Sequence, residues 1–163
     1  MPYVKVMQVA CARDATPRPF YTLSPGPDGF YSFLSSFDKD VIMNHRHLVP
    51  NIESRIEEHF VETLTVDQIM VRSEMPGIDL LLVDAEGYDD EIVLSLNFGR
   101  HRPRLINFEH KHLRQRSYRN LDYFLKSLGY TPMRLNTDSM YVSDLFLGVG
   151  RLRGFTSAFK SLF

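Results

Sequence analysis

Leu80-Leu81-Leu82-Val83 is a short apolar run closed off by Asp79 before it and Asp84 after it. A run of this length between turn-forming residues predicts a strand, and its lack of polar alternation predicts burial on both faces. Downstream the pattern changes period. Ile92, Val93 and Leu96 fall on one side of a helix over Asp89 to Asn97. Leu105 to Phe108 repeats the apolar run and ends in Glu109. Two strands joined through a helix pair in parallel, by a right-handed crossover. From about Asn120, Leu121, Phe124, Leu125 and Leu128 share a second helical face, with Gly129 placed to cap it and Pro132 beyond. Pro132 to Leu135 and Tyr141 to Val149 predict a closing pair of strands around a turn over Asn136 to Ser139.

Upstream, Tyr3 to Ala12 alternates loosely and predicts a strand. Phe20 to Leu23 follows Pro17 and Pro19 and predicts an edge strand. Ser24 to Gly29 is a turn or loop, and Phe30 to Pro50 carries no clear period and reads as mostly irregular. Ile56 to Thr63 alternates like a strand. Thr65, with Gln68 three residues on, has the capping-box spacing for a helix that runs to about Ser73 and stops before Pro76-Gly77. At the far end, Arg151 to Phe163 predicts a short amphipathic helix with Phe155, Phe159 and Phe163 in line. Such a stripe docks on its own sheet, or meets a membrane or partner when Arg151, Arg153 and Lys160 flank it. Strands alternating with helices predict an α/β fold with a mostly parallel sheet and antiparallel closing strands, built as one domain over residues 1–163.

Composition narrows the function classes. The 163 residues are 44% hydrophobic and 24% charged with a net charge of −1, so no bulk basic field calls for nucleic acid or an anionic membrane. The lone Cys11 excludes an internal disulfide and a cysteine-rich zinc site. A reducing, cytoplasmic setting is the expectation. No segment reads as a signal peptide or a bilayer span.

Ligands of open α/β sheets sit just past the carboxyl ends of the strands, which draws attention to Asp84, Glu86 and Glu109. Adjacent strands lie about 4.8 Å apart, so Asp84 and Glu109 are expected to face one crevice. An acidic crevice suits a cation: a metal, an amine or a sulfonium. Asp84 and Glu86 also fit a turn and helix cap. Asp89, Asp90 and Glu91 complement the positive end of the helix that follows. His45-x-His47 and His110-x-His112 each point to one side if extended, and with Glu109 they offer metal donors; as loop histidines they need no such role, and no metal ligand is assigned. Gly148-x-Gly150 followed by Gly154 is read as the exit from the last strand rather than a nucleotide loop.

Taken together, several segments resemble the FkbM family of methyltransferases. They are Val61 to Ile69 (VETLTVDQI), Ile78 to Tyr88 (IDLLLVDAEGY), Arg104 to His110 (RLINFEH) and Leu125 to Tyr130 (LKSLGY), in matching order and spacing. The likeness runs from about Tyr3 to Val149, and the D-x-E-G segment is its most specific element. The resemblance implies a Rossmann-like three-layer sandwich and transfer of a methyl group from S-adenosylmethionine, usually to a hydroxyl of a small molecule or glycan. It implies that Gln8 to Asp14, with Gln8, Ala10 and Asp14 named, lies near the adenine, and that Asp84, Glu86 and Gly87 line the crevice by sulfonium and acceptor. Glu109 or His110 is expected to take the acceptor's proton.

The family's glycine-rich first strand and loop, and its ribose-binding acid, would lie upstream of Tyr3, so the chain is expected to be the back portion of such a domain with its first strands missing. The strand at Ile78 would then have a bare edge. Either the Tyr3 strand pairs with it directly or a second copy of the chain covers it. Two other readings stand beside the enzyme: an inactive, partner-binding remnant, and a metal-dependent hydrolase using Asp84, Glu86, Glu109 and His110.

Overall fold

The computed structural model describes residues 4–26 and 34–147. The helix expected over Arg151 to Phe163 and the glycines at 148, 150 and 154 lie outside them. The elements run in chain order as β1 (Ala10–Cys11), β2 (Arg18–Leu23), β3 (Ser35–Ser36), α1 (Lys39–Met43), β4 (Ile56–Val61), β5 (Thr63–Leu64), α2 (Val66–Arg72), β6 (Leu80–Val83), α3 (Asp89–Leu94), β7 (Leu105–Glu109), α4 (Gln115–Ser127), β8 (Tyr130–Arg134), β9 (Asp138–Ser143) and α5 (Asp144–Leu147). A 3₁₀ turn over Ile52–Arg55 leads into β4.

The main sheet has the order β6-β7-β9-β8. β6 and β7 are parallel, with Leu81 beside Ile106 and Val83 beside Phe108. β9 runs antiparallel to both β7 and β8. The chain is thus a mixed α/β protein, with the expected parallel unit and antiparallel closing pair. Three of the four strands, β6, β7 and β8, run the same way and β9 alone opposes them, although β6–β7 is the one parallel pair in this sheet.

The core explains which face of the sheet is used. Leu81, Val83, Ile106, Phe108 and Tyr141 point to one side, where Val66 and Met70 of α2, Ile92 and Val93 of α3, and Leu121 and Leu125 of α4 meet them. Each of these buried side chains contributes on the order of 1.5–3 kcal/mol. Leu80 and Leu82 point the other way and are 53% and 67% exposed. β6 is therefore not buried on both faces, and among the described residues the helices form one layer on this sheet rather than two. A uniform apolar run satisfies either arrangement, so the pattern alone does not distinguish them.

A second sheet, β3-β2-β4, closes over its own small core of Leu23, Leu34, Ile42, Val49 and Ile52. β2 is its central strand rather than an edge; β3 meets only Tyr21 and Thr22, so Pro19 faces no β3 residue. The region expected to be irregular supplies β3 and α1, the latter started by Asp38, whose carboxylate accepts the N–H of Asp40. The strand expected over Tyr3 to Ala12 shrinks to β1, with Val4 and Val6 left exposed. β1 pairs in parallel with β5, Ala10 beside Thr63, and not with β6, so direct pairing of the first strand with Leu80–Val83 is ruled out.

The capping box forms as expected: Gln68 N–H donates to Thr65 Oγ1 at 3.2 Å and Thr65 N–H to Gln68 Oε1 at 2.9 Å. α4 begins at Gln115, earlier than its apolar spacing indicates, and Gly129 follows it with φ +80° as the cap. β9 ends at Ser143, and α5 takes the place of the expected strand over Asp144–Leu147, the rest of that expectation lying outside the described residues.

Candidate functional site

The carboxyl ends of β6 and β7 lie side by side, and the loop Asp84 to Tyr88 folds over them. Two residues of that loop have left-handed backbone, Glu86 at φ +47° and Gly87 at φ +91°. At Gly87 a side chain is excluded twice over. The dihedral disfavours it, and a Cβ would sit 3.2 Å from both the His112 carbonyl oxygen and Val41 Cγ2. The loop is thereby seated directly on the segment that follows β7.

Two further contacts fix it. Ser36 Oγ, buried at the end of β3, donates to the Glu86 carbonyl at 3.0 Å. Asp89, at 0% exposure, accepts from Gly87 N–H at 3.3 Å and from Glu109 N–H at 3.2 Å. One buried carboxylate thus ties the β6 loop to the end of β7. Burial pushes the Asp89 carboxyl up to about 6, outweighing the N–H groups of Glu109, Ala85 and Gly87 that favour its charged form. On sequence, Asp89 was grouped with Asp90 and Glu91 as a helix-dipole partner; the structure gives it this inward role.

The tie brings acids together. The parallel register ends with Val83 beside Phe108, so Asp84 and Glu109 are the next residues along the two chains. Burial first, then the charges of Glu86 and Asp84, push the Glu109 carboxyl up to about 7. His112 joins them, its Nε2 3.5 Å from Glu86 Oε2 and 3.7 Å from Glu109 Oε2. Burial holds the His112 imidazole below its ordinary value despite these neighbours. His110 turns the other way. Its Nδ1 lies 3.1 Å from Ser139 Oγ, Arg134 Nε donates to its Nε2 at 3.4 Å, and its ring packs on Tyr118. His110 thus belongs to the closing hairpin, and His112 is the histidine of the acidic cluster. The chain turns at this point, Leu113 N–H donating to the His110 carbonyl, so strand parity does not carry past Glu109. His45 approaches His112, ring centroids 6.0 Å apart, whereas His47 is exposed and bonded to its own turn.

A cleft of about 450 Å³ opens beside the loop, lined by Ala10 and Cys11 of β1, Phe20 and Phe37, and Asp84 and Glu86. Asp84 is exposed and Glu86 half-buried. Gln8 borders a neighbouring groove with Ala10. Asp14 is exposed and tied to Arg18 at 2.6 Å, an ion pair that holds its carboxyl down at about 2. Arg18 also lies against the rings of Phe37 and Tyr88. Gly87 faces a second hollow, with Tyr88 and His112. Of the residues picked out on sequence, Ala10, Asp84 and Glu86 share one cleft, and Glu109 lies outside its lining.

Residues 2–132 match the family model described as the Methyltransferase FkbM domain. The chain belongs to the FkbM methyltransferase family. The match ends within β8, short of the Val149 reached by motif reading. No curated protein and no solved structure matches the chain. Within this FkbM domain the loop Asp84 to Tyr88 coincides with the most specific of the recognised segments. No helix among the described residues is long and apolar enough to cross a membrane.

Proposed function

We propose that this FkbM domain transfers a methyl group from S-adenosylmethionine to a hydroxyl oxygen of a small molecule or glycan. The observation that carries the reading is the cleft in which Asp84 and Glu86, past the end of a parallel strand, face Ala10 and Cys11. Its donor set fits the charged end of such a cofactor. A sulfonium favours nearby carboxylates and aromatic faces, and the cleft offers Asp84, Glu86, Phe20 and Phe37.

When bound, the cofactor supplies an electrophilic methyl group. The chain's own residues then have three tasks. Asp84 and Glu86 hold the positive charge, Phe20 and Phe37 restrict water, and the ordered loop aligns the acceptor for in-line approach. Methylating a hydroxyl also releases a proton. Glu109 is suited to accept it, because a carboxyl at about 7 changes protonation state near neutral pH. Gln8 and Asp14 stand as the adenine-side contacts of the same reading, and His110 acts only by steadying the segment after Glu109.

Asp84→Asn tests the proposal. Asp84 is exposed, so the melting temperature should move little. Donor affinity, read by isothermal titration with S-adenosylmethionine, should fall at least about tenfold, equivalent to about 1.4 kcal/mol. Absence of heat from the unmodified chain at millimolar donor would refute methyl transfer and favour a partner-binding module.

A further inference from the structure

We propose that Glu86, Glu109 and His112 bind one divalent transition cation, with zinc the best match. One donor atom from each residue lies within 4.8 Å of the other two. The two spacings from His112 Nε2 are 3.5 Å to Glu86 and 3.7 Å to Glu109. Ligands bonded at about 2.1 Å to a tetrahedral centre stand roughly 3.4 Å apart. Small side-chain rotations close the set around an ion, with no movement of the backbone.

The donor chemistry selects the ion. One imidazole with two carboxylates suits zinc, manganese or cobalt, whereas calcium and magnesium prefer shells of oxygen alone. The backbone beneath the donors is already fixed. Ser36 holds the Glu86 carbonyl, Gly87 lies against His112, and Asp89 joins the Gly87 and Glu109 amides. An ion entering this set therefore orders little that is not ordered already, which favours tight binding. Three protein ligands leave a fourth position open. Glu86 borders the 450 Å³ cleft, so a water or an acceptor oxygen can reach the ion from there.

This inference rests on the three side chains and not on methyl transfer. Where both hold, Glu109 is a ligand of the ion rather than the base, and the proton of an acceptor hydroxyl acidified by the ion leaves to water in the open cleft. The two are separable because zinc binding is measured without any methyl donor.

The experiment is isothermal titration of zinc chloride into the full chain after treatment with a chelator, near pH 7.5. One site per chain is expected, with a Kd on the order of micromolar. Glu86→Gln and His112→Ala should each weaken it at least about tenfold. His112→Ala keeps the Cβ and carbonyl on which Gly87 rests, and Glu86→Gln is isosteric, so either variant carries the test if the other fails to fold. Cobalt in place of zinc should give the intensified visible absorption of low coordination number, lost in His112→Ala. The proposal is overturned if no saturable heat is seen up to millimolar zinc. It is equally overturned if both variants bind zinc as the parent does, or if calcium competes on equal terms. A chain that takes up zinc but not S-adenosylmethionine would sink the methyl-transfer reading and leave this one standing.

Discussion

Asp89 offers the sharpest test of how the loop over β6 and β7 is held. Its carboxylate is fully buried and accepts N–H bonds from Gly87 and Glu109. Two effects oppose each other there. Loss of water disfavours the charge, while the amides favour it. Burial wins, leaving the carboxyl at about 6 against an ordinary 3.8. Below pH 6 the folded chain keeps a proton that the unfolded chain releases once above pH 3.8. Stability from this group is therefore greatest at acid pH and is lost as pH rises through 6. Between pH 5 and pH 8 the loss amounts to about 1.4 kcal/mol, since pH 5 lies one unit below the folded value.

Asp89→Asn isolates the effect, because asparagine resembles the protonated acid and does not titrate. The stability of the parent minus that of Asp89→Asn should fall by about 1.4 kcal/mol from pH 5 to pH 8, or roughly 3–6 °C in Tm for a chain of this size. Urea denaturation at the two pH values reads it, and using the difference removes the part of the similar Glu109 slope that does not depend on the Asp89 charge. Asp89→Ala serves as the contrast. It strands the Gly87 and Glu109 amides at every pH, at about 1–3 kcal/mol each. If the amides outweighed burial, the carboxyl would lie below its usual range and stay ionised in both states from pH 5 to pH 8, so the difference would be flat and the dominance of burial refuted. A flat difference would mean that Asp89 does not titrate between pH 5 and 8.

Two other expectations concern the same loop and its cleft. Gly87→Ala should destabilise the fold by about 1–3 kcal/mol, because it combines left-handed backbone with 3.2 Å contacts to His112 and Val41; a melting temperature equal to the parent's would show that the loop can move off His112. Burial pushes the Cys11 thiol up to about 11, so it should react with Ellman's reagent at pH 8 far more slowly than a free cysteine and catch up in denaturant; fast labelling of the native chain would show that thiolate is readily formed there.

Much of the fold was legible because its signals are local. The Thr65–Gln68 box lies within a single turn, and both of its hydrogen bonds form. The apolar runs at Leu80 and Leu105 announce adjacent strands with a helix between them, and that unit is found. Length defeated α1, which spans only Lys39–Met43, too short to show a period of 3.6. Pairing partners were the other blind spot. β1 joins β5 through Ala10 and Thr63, and nothing near Ala10 in sequence specifies Thr63 as its neighbour.

The site shows the same division, and it decides which residues matter. Asp84, Glu86 and Glu109 could be read as a group because each sits at or just past the end of a strand, and parallel strands bring their ends together. Asp89 could not be separated from Asp90 and Glu91, since three consecutive acids look alike until a backbone turns one inward. The signal available was indirect: Gly87, two residues earlier, frees its amide for a buried acceptor by adopting φ +91°. His110 was preferred to His112 because it directly follows Glu109 at a strand end, but the chain leaves the strand after Glu109 and bends back on itself. The bend puts His112, three residues from Glu109, against the carboxylates of both Glu109 and Glu86. Chemistry at the strand ends thus depends on two turns, at Glu86-Gly87 and at His110 to Leu113, and each turn rests on the other through the contact of Gly87 with the His112 backbone.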